Sequence, residues 1–131
     1  MTPGVAAASW PFVEEFIKKA VHYAQGDYTE KFIGQELAQG RMQLWASFDE
    51  EHGLVACVVT SLEKFPAQNV CFIHCLAGDL EAVYALEPSI IAWAKANGAK
   101  ALEGWGRPGF SKVLPPGWKE IHRIYRKYLG N

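Results

Sequence analysis

Apolar residues recur at helical spacing in the first quarter of the chain, and at alternate positions after about residue 41. Phe12, Val13, Phe16, Ile17, Ala20, Val21 and Ala24 form one stripe of a first helix. Ser9 suits its N-cap, Pro11 its first turn, and Glu14 and Glu15 the positive end of its dipole. Gln25-Gly26 ends it. Asp27 with Glu30 three residues on resembles a capping box for a shorter second helix, which buries Phe32, Ile33 and Leu37 and stops at Gly40. Then the period changes. "RMQLWASF" (41–48) alternates as a half-buried strand does, "DEEHG" (49–53) turns, and the β-branched "LVACVVTSL" (54–62) reads as the partner strand of a hairpin. "FPAQN" turns the chain again, and "VCFIHCLA" (70–77) is a third strand. Helical spacing returns over 78–98, with Leu80, Val83, Tyr84, Ile90, Ile91 and Ala94 available for burial and Gly98 as a C-cap. Pro88 inside it predicts a kink or the start of a second segment. "AKALEGWG" (99–106) is a short strand, and "FSKVL" is about one helical turn between two Pro-Gly breaks. The closing "WKEIHRIYRKYL" (118–129) has helical spacing but strand-like residue types.

The order of elements is two helices, an antiparallel strand region, then a strand-helix-strand crossover that implies a parallel pair. This predicts a single domain, residues 1–131, of mixed α/β class with helices on the faces of its sheet. Half of the 131 residues are hydrophobic and 13% aromatic, which supports one packed core and excludes a largely disordered chain. No apolar run approaches the ~20 residues of a membrane span. The net charge of -1 offers nothing to nucleic acid as a whole, but residues 102–131 hold 6 Lys/Arg against 2 Asp/Glu. That basic end reads either as a solvated face or as a surface for an anion such as a phosphorylated cofactor. "MTPGVAAAS" has no basic region before its small residues, so it is not a signal peptide. The odd count of three cysteines, Cys57, Cys71 and Cys75, all in apolar runs, predicts reduced, buried thiols and a cytoplasmic setting.

The element order resembles the GNAT acyltransferase fold over nearly the whole chain, with "TPGVAA" the only stretch that supplies the family's first strand. "AWAKANGAKALEGWGRPGFSKVLPPGWKEIHRIYRKYL" (92–129) resembles the C-terminal half of a divergent GNAT-like group of phages and prophages. In that group the tail is a strand, so the resemblance implies a strand over 118–129. It also implies a mixed, mostly antiparallel sheet with one parallel crossover, and acetyl transfer from acetyl-CoA to an amine. The family's pyrophosphate loop, Arg/Gln-x-x-Gly-x-Gly/Ala, opens the helix after the central strand. The matching stretch here lies in "FIHCLAGDLEAVY" (72–84). Gly78 is present, the Arg/Gln and second glycine are not, and Asp79 and Glu81 occupy the first helical turn. Carboxylates there stabilise the helix and oppose a diphosphate.

The resemblance places the backbone of Cys75, Leu76, Ala77 and Gly78 along the pantetheine arm, and Arg107 and Ser111 near the cofactor. His74 on the central strand is a candidate general base, since family members use a Glu or a water near it and an imidazole does that work near neutral pH. The bland alternative is a core His bonded to backbone. Arg107 and Lys112 form an anion patch, or Arg107 pairs with Glu103. The family's general-acid Tyr is missing from "GFSKVL", where Ser111 is the only hydroxyl. On a regular strand Cys71 and Cys75 share a face ~13 Å apart and His74 points to the other. That excludes a metal site, and no motif activates a cysteine nucleophile. Trp45, Trp105 and Trp118 are core mass or the wall of a groove. The expected partners are an amine substrate or, for a non-catalytic GNAT-fold module, the structural proteins of a phage particle. Neither nucleic acid nor a membrane is expected.

Overall fold

The structure is a computed structural model that describes residues 14, 15, 17, 18, 29–104 and 114–130. The first of these are helical and contribute Ile17 to the core, fully buried. Helix α1 spans Glu30–Ala38. Its cap is Thr29, whose hydroxyl accepts from Phe32 N–H at 3.1 Å, two residues later than the Asp27 box expected from the sequence. Asp27 itself lies outside the described residues. Arg41 N–H reaches back to the Glu36 carbonyl at 2.9 Å, and Gly40 at φ 78° makes that close possible.

Four strands follow: β1 (Gln43–Asp49), β2 (Gly53–Lys64), β3 (Asn69–Gly78) and, after helix α2 (Leu80–Ala96), β4 (Ala101–Gly104). They form one sheet in the order β1-β2-β3-β4. The first two pairings are antiparallel and the last is parallel, running from Val70 with Ala101 to Ile73 with Gly104. The mixed α/β sheet with one parallel pair is as expected.

Each face of the sheet carries a core. On one, Ile33 and Leu37 of α1 join Ile17, Met42, Leu44, Cys57 and Val59. On the other, Val83, Ile90 and Ala94 of α2 meet Ala56, Val58 and Cys71. Those α2 positions recur at intervals of seven and four, so one face of the helix is buried along its length. That packing answers the Pro88 question. The helix is continuous through Pro88, which sits on its exposed side, with neither a break nor a second segment.

Two bulges interrupt the antiparallel pairings. The register steps from Ser47–Ala56 to Phe48–Leu54, leaving Val55 as an extra residue on β2. It steps again from Val59–Cys75 to Thr60–Ile73, leaving His74 extra on β3. A bulged residue shifts the inward-outward alternation by one. Hence Cys71 packs with the α2 core and Cys75 with the α1 core, where regular alternation puts both on one face.

The strand expected over 118–129 is not formed. Residues 118–130 carry neither strand nor helix, with Tyr125 88% and Leu129 92% exposed. As a strand, one face would hold Ile121, Arg123, Tyr125, Lys127 and Leu129, and the other His122, Ile124, Arg126 and Tyr128. Both faces mix cations with apolar groups, so neither can be buried on a sheet without stranding charge. The Arg123 bond to Glu120, at 2.6 Å, is local to the segment.

Candidate functional site

The β3 bulge builds the site. Because His74 is the extra residue, its ring turns to the α1 side with Phe72, Ser61 and Glu63 rather than away from Cys75. Ser61 Oγ lies 2.6 Å from His74 Nε2 and donates its hydrogen to Glu63 Oε1 at 2.8 Å. The Phe72 ring stands edge-on to the imidazole, centroids 5.0 Å apart at 66°. One partner of the ring is therefore a buried serine hydroxyl.

His74, Ser61 and Glu63 line an open cavity of about 620 Å³ with Phe32, Glu36, Arg41 and Gln43. Its floor is the polar end of β2, and its walls are α1 and the turn into β1. Arg41 Nε donates to Glu36 Oε2 across that turn. Burial pushes the His74 pKa below its ordinary 6.5, and the charges of Glu63 and Glu36 oppose the shift in part. The net direction favours a neutral ring, able to take a proton at neutral pH. Ser61 is 5% exposed and its proton is committed to Glu63, so the pair is not arranged as a serine nucleophile with its base.

Cys75, Leu76, Ala77 and Gly78 continue β3 past Ile73, the last residue paired to β4 among the described residues. Cys75 and Ala77 pack toward the α1 core and Leu76 toward the α2 core. Gly78, at φ 102°, passes so close to β2 that a Cβ would lie 2.2 Å from the Val55 carbonyl oxygen. Asp79 N–H donates to that same carbonyl at 3.0 Å. Asp79 is the N-cap of α2 rather than a member of its first turn, and its carboxylate accepts from Ala82 N–H at 3.1 Å. Glu81 is in the first turn. The helix end is thus occupied by the chain's own anion. Arg107 and Ser111 lie outside the described residues, as do Lys112 and Trp105.

Trp45 packs with the α2-side core, away from the His74 cavity. It stacks edge-on to Trp93 of α2 at 5.7 Å and donates to Thr60 Oγ1 at 3.0 Å. Trp118 is half-buried in the irregular tail segment. Burial pushes the Cys57 thiol up to about 12, and Cys75, only partly buried by area, is driven to about 12 with Cys57 adding to the effect. Among the described residues no group of His, Cys, Asp and Glu is placed to hold a metal ion. Among them, too, no helix is long and apolar enough to cross a membrane.

The sequence reading missed Ser61, Glu63 and Glu36. A signal existed for the first two: in "TSLEK", at the end of an apolar strand, Ser61 and Glu63 stand two positions apart, which puts them on one face.

No family model matches the chain, and no curated protein matches it. Solved structures do. A probable acetyltransferase superposes with a TM-score of 0.68 at 10% identity, covering 94% of this chain and 92% of its own. Its fold is that of GNAT-like acetyltransferases. An aminoglycoside acetyltransferase from an uncultured soil metagenomic sample, in complex with sisomicin, gives 0.65 at 9% identity over 98% and 93%. A predicted acetyltransferase with acetyl-CoA from Clostridium acetobutylicum gives 0.65 at 12% over 94% and 92%. At such identities the likeness establishes the fold of this chain. Activity has to be argued from its residues.

Proposed function

We propose that this GNAT-fold protein transfers an acetyl group from acetyl-CoA to an amine held in the α1–β2–β3 cavity, with His74 as the general base. The observation that carries the reading is the imidazole on the cavity wall, bonded to Ser61 and kept neutral by burial. An amine enters such a site as an ammonium ion, and the carboxylates of Glu36 and Glu63 on the same walls attract it. After one proton is lost to water, the neutral amine nitrogen attacks the thioester carbonyl, a second proton passes from that nitrogen to His74, and the C–S bond breaks with coenzyme A leaving as a thiolate that takes up that proton. One structural neighbour, an aminoglycoside acetyltransferase, is in complex with sisomicin.

The two parts of the cofactor path fit unequally. Among the described residues no strand pairs with β3 beyond Ile73 on its β4 side, and that edge from Cys75 to Gly78 suits an extended pantetheine arm. The α2 terminus does not suit the diphosphate, because the Asp79 carboxylate already sits on the amide a phosphate oxygen would take. That single feature supports a second reading, a non-catalytic GNAT-fold module that binds a partner, as in assembly of a phage particle.

Calorimetric titration with acetyl-CoA, run beside a transfer assay on a panel of primary amines, separates the two. The expected outcome is binding weaker than micromolar, measurable transfer, and a loss of roughly 10²–10⁴-fold in turnover for His74→Gln. Absence of transfer to every amine at saturating acetyl-CoA leaves the module reading in its place.

A further inference from the structure

We propose that the amine this cavity takes is a monoamine with an apolar body: Glu63 binds its ammonium group, Phe32 and Met42 hold its body, and Arg41 keeps out a second cation by occupying Glu36. The inference starts from the balance of charge. Among the described residues, the ionisable groups that line the cavity are Glu36, Glu63, Arg41 and His74. Burial lowers the His74 pKa, so the ring is uncharged at neutral pH. Two carboxylates against one guanidinium leave a single net negative charge. The guanidinium is not shared between them. Arg41 Nε donates to Glu36 Oε2. Glu63 forms no ion pair with any described cation, and its Oε1 accepts from the neutral Ser61 hydroxyl at 2.8 Å.

One ammonium ion matches that balance. A dication brings a second charge to a site whose other carboxylate, with its side chain 15% exposed, is already bonded. To reach Glu36 it has to displace a guanidinium five residues away on the same chain, which rebinds at the high effective concentration of a tethered group. The body of the ligand meets a different surface. Phe32 lies one turn before Glu36 on α1, so the two share a side of the helix, and both line the cavity. Phe32 is 41% exposed, so an apolar group set against it removes apolar surface from water on both partners. Met42 adds a flexible thioether to the same lining, able to follow the shape of such a group. That the amine is an acetyl acceptor rests on the acetyl-transfer reading. The single-cation site does not.

The test is calorimetric titration of the unliganded protein with three probes: phenethylamine, its uncharged counterpart phenethyl alcohol, and the diamine cadaverine. The wild type is expected to bind phenethylamine roughly tenfold or more tightly than either of the others. Glu63→Gln should lose the preference over the alcohol. Phe32→Ala should weaken phenethylamine and leave cadaverine unchanged. Arg41→Gln uncovers Glu36 and should raise the cadaverine affinity by roughly tenfold. The comparison of probes on the wild type holds whatever the variants do to stability. Cadaverine bound by the wild type as tightly as phenethylamine overturns the proposal, and so does failure of all three probes to bind, or a cadaverine affinity unmoved in Arg41→Gln. Acetyl transfer confined to diamines keeps the transfer reading and removes this one. Phenethylamine bound as expected, with no amine acetylated, does the reverse.

Discussion

Thr60 is fully buried, yet its hydroxyl joins three elements of the core. It accepts from Trp45 Nε1 and donates to Gln43 Oε1, each at 3.0 Å, and its interaction with the Cys71 thiol partly offsets the upward push of burial on that group. Replacing it with isosteric Val leaves an indole N–H and an amide oxygen without their partner. Thr60→Val should therefore cost about 1–3 kcal/mol in a denaturant melt, although valine is the more apolar residue. His74 makes a prediction about pH. Its folded pKa is lowered from 6.5 by burial, so the unfolded chain binds the proton more tightly. The stability this contributes is complete above the unfolded pKa of about 6.5 and is lost as pH falls through the lower folded value. Melting temperatures measured across that range should fall toward acid, and more steeply for the wild type than for His74→Gln.

At the level of elements, the two bulges decide what meets what. Val55, the extra residue of β2, turns its carbonyl to the Gly78–Asp79 junction, and His74, the extra residue of β3, turns its ring into the cavity. The junction therefore has a structural explanation that needs no ligand. Gly78 is there because any Cβ would collide with Val55 and Ala56 backbone. Gly78→Ala should destabilise by more than about 2 kcal/mol, from overpacking added to a left-handed φ. Asp79→Asn is a different case, since Asn caps helices as well as Asp does. It should leave the melting temperature nearly unchanged while removing the carboxylate charge. Acetyl-CoA affinity in that variant should rise by up to about tenfold, equivalent to ~1.4 kcal/mol of repulsion relieved. An affinity unchanged by Asp79→Asn would show that the diphosphate lies elsewhere.

For the molecule as a whole, a single sheet separates two cores, and Cys57 and Cys71 report one each. Both thiols are buried, and burial raises both pKa values, that of Cys57 to about 12. The layers share every strand, so we expect them to open together. Thiol labelling in mild denaturant should proceed at one common rate for these two cysteines. A Cys57 rate well ahead of Cys71 would mean that the α1 layer opens alone.

Much of this was legible in the chain. Periodicity gave α1, all four strands and α2, since each buries one face and the pattern must repeat at the period of the element. The parallel pair followed from the helix between β3 and β4. The acid at the α2 terminus followed from reading Gly78-Asp79 against a phosphate loop. What periodicity could not show is where it breaks. A bulge leaves no mark in local composition, because it is a property of two strands in register, yet one residue's slip put Cys75 on the same side as His74 and set Cys71 and Cys75 on opposite faces. Ser61 and Glu63 became its partners only through pairing of β2 with β3, residues 13 and 11 positions away in sequence. Pro88 and the tail show the same limit from two sides. Burial of Val83, Ile90 and Ala94 holds a helix through a proline that local preference opposes, whereas 118–129, with cations on both faces of a strand, finds no sheet to join. Local pattern determined the elements. Long-range register and burial decided which side chains meet.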